Sequence, residues 1–123
     1  MNVMLWSLQW ILAVLFATSG LEKVTRSRAA LAVKYPWVLD TPQSAVHVAA
    51  VAEMTAAVGL IAPAAAGRAS VLTPLAAAGL VLFLALAAGL HLRRHERSGV
   101  AVTVTLLVVS AFVAWARFGP YGW

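Results

Sequence analysis

The chain has 123 residues, of which 63% are hydrophobic and 11% charged, with nine Lys+Arg against four Asp+Glu. Soluble domains are about 45–50% apolar and about 25% charged, so a soluble globular fold is excluded, and a disordered chain would be polar instead. There is no cysteine, which excludes disulfides, thiol chemistry, Fe–S clusters and Cys-ligated zinc within the chain. What remains is an all-α integral membrane protein set in a lipid bilayer, one domain over residues 1–123.

Residues 1–21 carry no charged side chain. About 20 apolar residues rise about 30 Å as a helix, which crosses a hydrocarbon core. A first span is predicted near 3–22. No Lys or Arg precedes it, so it reads as a retained helix rather than a signal peptide. Gln9, Ala13, Phe16, Gly20 and Lys23 recur at helical spacing and form one stripe that should face other helices. Gln9 suits an interhelix hydrogen bond. Lys23 is expected to snorkel to the interface. Tyr35 and Trp37 are expected to anchor the following basic connector at the membrane surface.

A second span is predicted near 43–63, with Thr41 as N-cap, Pro42 in the first turn and Pro63 at the end. It contains His47 and Glu53. Glu53 lies near mid-bilayer, where a carboxyl group is costly. It is therefore the candidate catalytic residue, either a proton-transfer group or a ligand-binding carboxylate. A third span is predicted near 70–92, with Ser70 as N-cap, Pro74 in its first turn and His91 near its end. The basic loop RRHER follows, and Gly99 separates it from a fourth span near 99–118. Thr103, Ser110 and Arg117 share one face of that span. Arg117 is either an interfacial anchor or a cation turned inward toward Gln9 and Glu53; about 12 Å along the axis from the span's centre, it would reach Glu53 only through Gln9 or water. The runs are continuously apolar, without the two-residue alternation of a membrane barrel, so the architecture is a four-transmembrane-helix bundle. The small-residue pairs Ala52/Ala56 and Ala85/Gly89 read as bundle packing.

The connectors fix an orientation. The first and third hold 4 + 3 = 7 Lys and Arg, against 2 on the other side. Positive-inside bias then gives a multi-pass cell-membrane protein with both termini outside the cytoplasm. Basic residues confined to connectors argue against nucleic acid as a partner. Lys23, His47, His91 and Arg93 would surround the cytoplasmic mouth. His47 and His91 lack the H-x-x-H or E-x-x-H spacing of a metal site, so both read as hydrogen-bonding residues and no metal is assigned. No nucleotide-binding or serine-hydrolase motif is present. The candidate site is therefore Glu53, with Gln9, Lys23, His47, His91, Ser110 and Arg117 as binding residues.

Four motifs in order carry a resemblance. They are FATSGLEK at residues 16–23, VAEMTAAVGLIAP at 51–63, AAGLHLRR at 87–94 and FVAWARF at 112–118. In this order and spacing the chain resembles the DoxX-like family of small four-helix bacterial membrane proteins. The matching positions are Gly20, Lys23, Glu53, Gly59, His91 and Arg117. The wider group is associated with thiosulfate:quinone oxidoreductase subunits and with membrane-anchored oxidoreductase complexes in oxidative-stress defence. The resemblance thus implies a redox-linked membrane subunit, with a quinone as ligand and an oxidoreductase subunit as partner. It supplies no mechanism, because a fold does not fix a function.

Three functions compete. In the first, Glu53, Gln9 and Arg117 line a pocket for a quinone head group, and electrons come from a partner. In the second, the chain alone, or as a homo-oligomer, is an enzyme using Glu53 as general acid/base on a lipophilic small molecule, in an isomerisation, cyclisation or epoxide opening. In the third, it is a scaffold whose polar residues serve assembly.

Overall fold

The computed structural model describes residues 1–68 and 70–122. Its elements are α1 (Asn2–Thr25), α2 (Arg28–Lys34), a 3₁₀ turn (Pro36–Asp40), α3 (Gln43–Ala66), α4 (Leu72–Arg93) and α5 (Arg97–Phe118). Four of these helices are long and apolar enough to cross a membrane. The fold is therefore the all-helical four-span architecture that the apolar runs predict.

The four spans pack α1 on α3, α3 on α4 and α4 on α5, and α5 closes only thinly back onto α1. Leu5, Leu12, Phe16, Leu60, Leu80, Leu84 and Val113 fill the interior. Phe16 meets Phe83 edge to face, with ring centroids 6.4 Å apart. Val14, Val58, Leu82, Leu86 and Val108 point outward. In lipid, burying such side chains gives no driving force, so close backbone approach and polar contacts hold the helices together. Gly20 lets α1 and α3 approach closely. A Cβ there would lie 2.6 Å from Met54 Cγ and 2.8 Å from the Ala50 carbonyl oxygen. The expected small-residue pairs do not play this part. Ala52, Ala85 and Gly89 are exposed, and a Cβ on Gly89 would meet nothing within 4 Å. Spacing alone identified small positions without showing which face met a neighbour.

Four expected boundaries are corrected. Pro42, not Thr41, is the N-cap of α3, because the Thr41 hydroxyl donates back to the Trp37 carbonyl at 2.8 Å and closes the 3₁₀ turn. At α4 the N-cap is Val71 rather than Ser70, and Gly99 lies inside α5, whose N-cap is Glu96. Pro63 does not end its helix, which runs on to Ala66 and stops at Gly67 in the left-handed conformation. A proline at this position supplies no N–H to the carbonyl four residues earlier, that of Gly59. Thr73 of α4 replaces it: its hydroxyl donates to the Gly59 carbonyl at 2.9 Å. Thr73→Val is therefore expected to destabilise the protein by about 1 kcal/mol. Pro63→Ala returns an amide N–H to Gly59 and should recover the loss in the double variant. Thermal unfolding in detergent checks both, and a double variant no better than Thr73→Val alone would contradict the substitution of one donor for the other.

The connector after α1 folds back as a cap. Ser27 accepts from the Ala30 amide and starts α2. Leu31 and Val38 pack on Val46 of α3, with Tyr35 and Trp37 against them. Arg28 Nη2 donates to the Val38 carbonyl at 2.9 Å and ties α2 to the 3₁₀ turn. Lys34 Nζ lies 3.1 Å from Glu22 Oε1 at the end of α1. Hydrogen bonds to Glu22 and then Tyr35 hold the Lys34 ammonium above its ordinary value of 10.5. A raised lysine stabilises at neutral pH and loses that contribution as pH rises through its folded value, so the lysine's side of this exposed tie is lost in alkali. An ion pair between Arg94 and Asp40 joins the third connector to the first. The two basic connectors thus share one end, and both termini meet at the other, where Arg117 Nη1 donates to Asn2 Oδ1 at 2.8 Å.

Candidate functional site

Glu53 belongs to the buried stripe of α3, Val46, Ala50, Glu53, Ala57 and Leu60, which the 3.6-residue period turns toward the bundle. Its side chain is 1% exposed. On α1, the stripe read from the sequence is the buried face, and it ends with Lys23, 5% exposed. Lys23 does not snorkel outward. It turns into the protein and forms a salt bridge with Glu53 Oε1. The capping segment covers the end of α1 where an outward lysine would reach water, so the ammonium is satisfied from inside.

The surroundings of Lys23 are specific. Nζ donates to Ser19 Oγ at 2.9 Å, one turn earlier on the same face. It lies 4.9 Å from the Tyr35 ring centroid and 5.6 Å from that of Trp37, within cation–π range. The Tyr35 hydroxyl lies 3.5 Å from Ser19 Oγ. Ser19, Tyr35 and Trp37 were not among the residues singled out as binding. The available signals were the i, i+4 spacing of Ser19 and Lys23 and the aromatic pair flanking Pro36. The pair of charges is buried, and a buried ion pair survives only where its geometry and remaining hydrogen bonds offset desolvation. Glu53 Oε2 is buried and receives no hydrogen bond among the described residues.

A second polar centre lies at the opposite end. Arg117 Nε donates to Gln9 Oε1 at 2.8 Å, and Gln9 Nε2 donates to the Leu60 carbonyl at 2.7 Å. Arg117 Nη1 also reaches the Tyr121 carbonyl at 3.0 Å, and the guanidinium lies 5.9 Å from the Trp6 ring centroid. The expected Arg117-to-Gln9 contact is present. It does not continue to Glu53, because Gln9 is spent on Leu60, about 10 Å along α3 from Glu53. The structure brings Lys23 and Glu53 together and joins Gln9 to Arg117, as two centres rather than one.

The remaining candidates stand apart. His47 is exposed, with Nε2 3.0 Å from Gln43 Nε2. His91 Nδ1 lies 2.9 Å from Glu96 Oε1. His91 shares a cleft of about 620 Å³ with Lys34, Tyr35, Trp37, His95 and Arg97, so the two aromatic residues stand between that cleft and Lys23. Ser110 is fully buried on α5, and its hydroxyl meets no hydrogen-bond partner among the described residues.

The DoxX-like family profile matches residues 7–113, most of the chain. This chain belongs to the DoxX-like family. The match reaches into all four apolar helices, which makes this a multi-pass membrane protein. It includes Gln9, Lys23, Glu53, His91 and Ser110, and stops before Arg117. No curated protein and no solved structure matches the chain. As a DoxX-like protein it thus presents a buried ammonium–carboxylate pair under an aromatic cap. Such a pair can hold a polar head group by charge and hydrogen bonds and can pass a proton across its own hydrogen bond.

Proposed function

We propose that this DoxX-like protein is a quinone-associated subunit of a membrane oxidoreductase, with the head group held at Lys23 and Glu53. The observation that carries the reading is the buried Lys23–Glu53 pair, with Tyr35 and Trp37 beside the ammonium and Glu53 Oε2 buried without a donor among the described residues. The aromatic faces suit a flat ring, and the ion pair suits its oxygens. The thinly packed α1–α5 seam is the route by which a lipophilic tail reaches the bilayer. Gln9 and Arg117, at the far end, pin that seam rather than touch the head. A quinone couple takes up two electrons with two protons. The electrons come from a partner subunit, since this chain has no electron-carrying motif, and Lys23 and Glu53 relay protons. The cell membrane is the location, with the Lys34/Arg97 end cytoplasmic and both termini outside, on the weight of basic residues at that end.

A second reading has one observation in its favour. Glu53 is in hydrogen-bond contact with an ammonium, which makes an acid–base pair that needs no cofactor. In that case the chain is an enzyme acting on a lipophilic substrate.

Native mass spectrometry of gently solubilised protein, with organic extraction of what co-purifies, tests both. A stoichiometric quinone or a defined oxidoreductase partner chain is expected, with the quinone lost from Glu53→Gln. A different lipophilic molecule, converted by the wild type and not by Glu53→Gln, would replace the quinone reading with the enzyme. A lone chain holding nothing, unfolded by Glu53→Gln, would leave only a scaffold.

A further inference from the structure

We infer that the 620 Å³ cleft beside the cap binds a phosphate ester, and that its source is the head group of an anionic glycerophospholipid. The inference is independent of the quinone reading, because Lys23 and Glu53 do not line this cleft. One wall is the end of α2 with the start of the 3₁₀ turn, and the other is the α4–α5 connector. Each wall brings a fixed cation, Lys34 on the first and Arg97 on the second. The carboxylate in the lining, that of Glu96, is already answered: His91 Nδ1 lies 2.9 Å and Arg94 Nε 3.3 Å from its Oε1. Positive charge is left in excess. Arg97 is exposed, and its guanidinium meets no hydrogen-bond or ion-pair partner among the described residues. Lys34 is tied to Glu22, but its side chain is 57% exposed. A planar guanidinium facing an ammonium, with imidazoles between, is a donor set suited to phosphate oxygens.

Two details show how the connector wall is held. His91 is seated against α5, since a Cβ on Gly99 would lie 2.5 Å from its Nδ1. His95 has φ 56, a left-handed conformation that is uncommon for a side chain and suits glycine. A histidine kept there sets an imidazole in the cleft wall.

The place selects a lipid as the source. Helices α4 and α5 have 22 residues each and rise about 33 Å, so the cleft at their joined ends lies at head-group depth. Val33, 88% exposed, is an apolar lip next to Lys34 on which acyl carbons would rest. Tyr35 and Trp37 suit the same interface. Basic pockets between the ends of membrane helices are recurrent sites for acidic head groups.

Native mass spectrometry of the full chain in a neutral detergent tests this, with three probes: dioctanoyl phosphatidylglycerol, dioctanoyl phosphatidylcholine and glycerol 3-phosphate. The wild type is expected to bind phosphatidylglycerol at least about tenfold more tightly than phosphatidylcholine, whose choline cation the cleft repels, since a hydrogen bond to a charged group is at stake. Arg97→Gln is expected to abolish that preference. Arg93→Gln removes the same charge at the same end from outside the cleft, and should keep it. His95→Gly relieves the left-handed φ, so it should fold as well as the wild type and yet bind phosphatidylglycerol more weakly. Equal losses in Arg97→Gln and Arg93→Gln would overturn the site, because bulk attraction to the basic connectors would account for both. A wild type without the preference would overturn it as well. Arg97-dependent binding of glycerol 3-phosphate as tight as that of the lipid would overturn the lipid as the source and put a soluble phosphate ester in its place.

Discussion

Lys23→Met is expected to destabilise the protein by about 3–5 kcal/mol, because it leaves the Glu53 carboxylate buried without its cation. The Met stem keeps most of the lysine's volume, so the loss reports charge rather than a cavity. The double variant Lys23→Met, Glu53→Met should recover most of it, since a buried ion pair replaced by apolar residues of similar size is often neutral. Unfolding of the three forms in detergent, compared as a double-mutant cycle, measures the coupling. A double variant as unstable as Lys23→Met alone would show that the two charges do not answer each other.

Arg117→Lys is expected to cost about 2–3 kcal/mol, despite keeping the charge. The guanidinium spans Gln9, Asn2 and the Tyr121 carbonyl with a planar fork of donors. A single ammonium cannot occupy those positions together, and hydrogen bonds to charged groups are each worth about 1.5–3 kcal/mol. Gln9 Oε1 would then be buried with its donor gone. The loss should appear first at the α1–α5 seam, the thinnest in the bundle. Amide exchange is expected to quicken in the first turns of α1 and the last turns of α5 while α3 and α4 stay protected. Wild-type stability and uniform protection in Arg117→Lys would contradict the role of the fork.

These two centres show which features were legible in the chain. The four spans were, because charged connectors bracket runs that lipid requires to be apolar, and no tertiary knowledge is needed to see them. The buried stripe of α1 was also legible, since Gln9, Ala13, Phe16, Gly20 and Lys23 follow the helical period and all lie inside. Local rules failed where a residue's expected role was taken by another residue or its side chain was drawn to a different partner. Pro63 reads as a stop, yet Thr73 takes up the carbonyl it frees. Thr41 reads as a cap, yet its hydroxyl turns back to Trp37. The partner of Glu53 was illegible for the same reason. Lys23 sits close to the end of its helix, where an outward path to water is the ordinary outcome, and only the fold of residues 27–41 over that end turns it inward.

The capping segment therefore links stability to the proposed chemistry. Leu31 and Val38 seat it on α3, and Tyr35 and Trp37 then close over the ammonium. The same two aromatic residues line the 620 Å³ cleft on their other side. Displacing them would open Lys23 and Glu53 toward that cleft, so the cap is the element that separates the pair from the connector end of the bundle.

The most direct measurement is photolabelling with a short-tailed benzoquinone that carries a diazirine on its head group, mapped by peptide mass spectrometry. Label is expected on residues 19–23 of α1, 50–57 of α3 and the Tyr35–Trp37 cap, and it should be displaced by excess unlabelled quinol. Label confined to Trp10, Ile11, Val14 and Leu15, which line a shallow lipid-facing groove of about 330 Å³, would contradict a head-group site at Lys23 and Glu53.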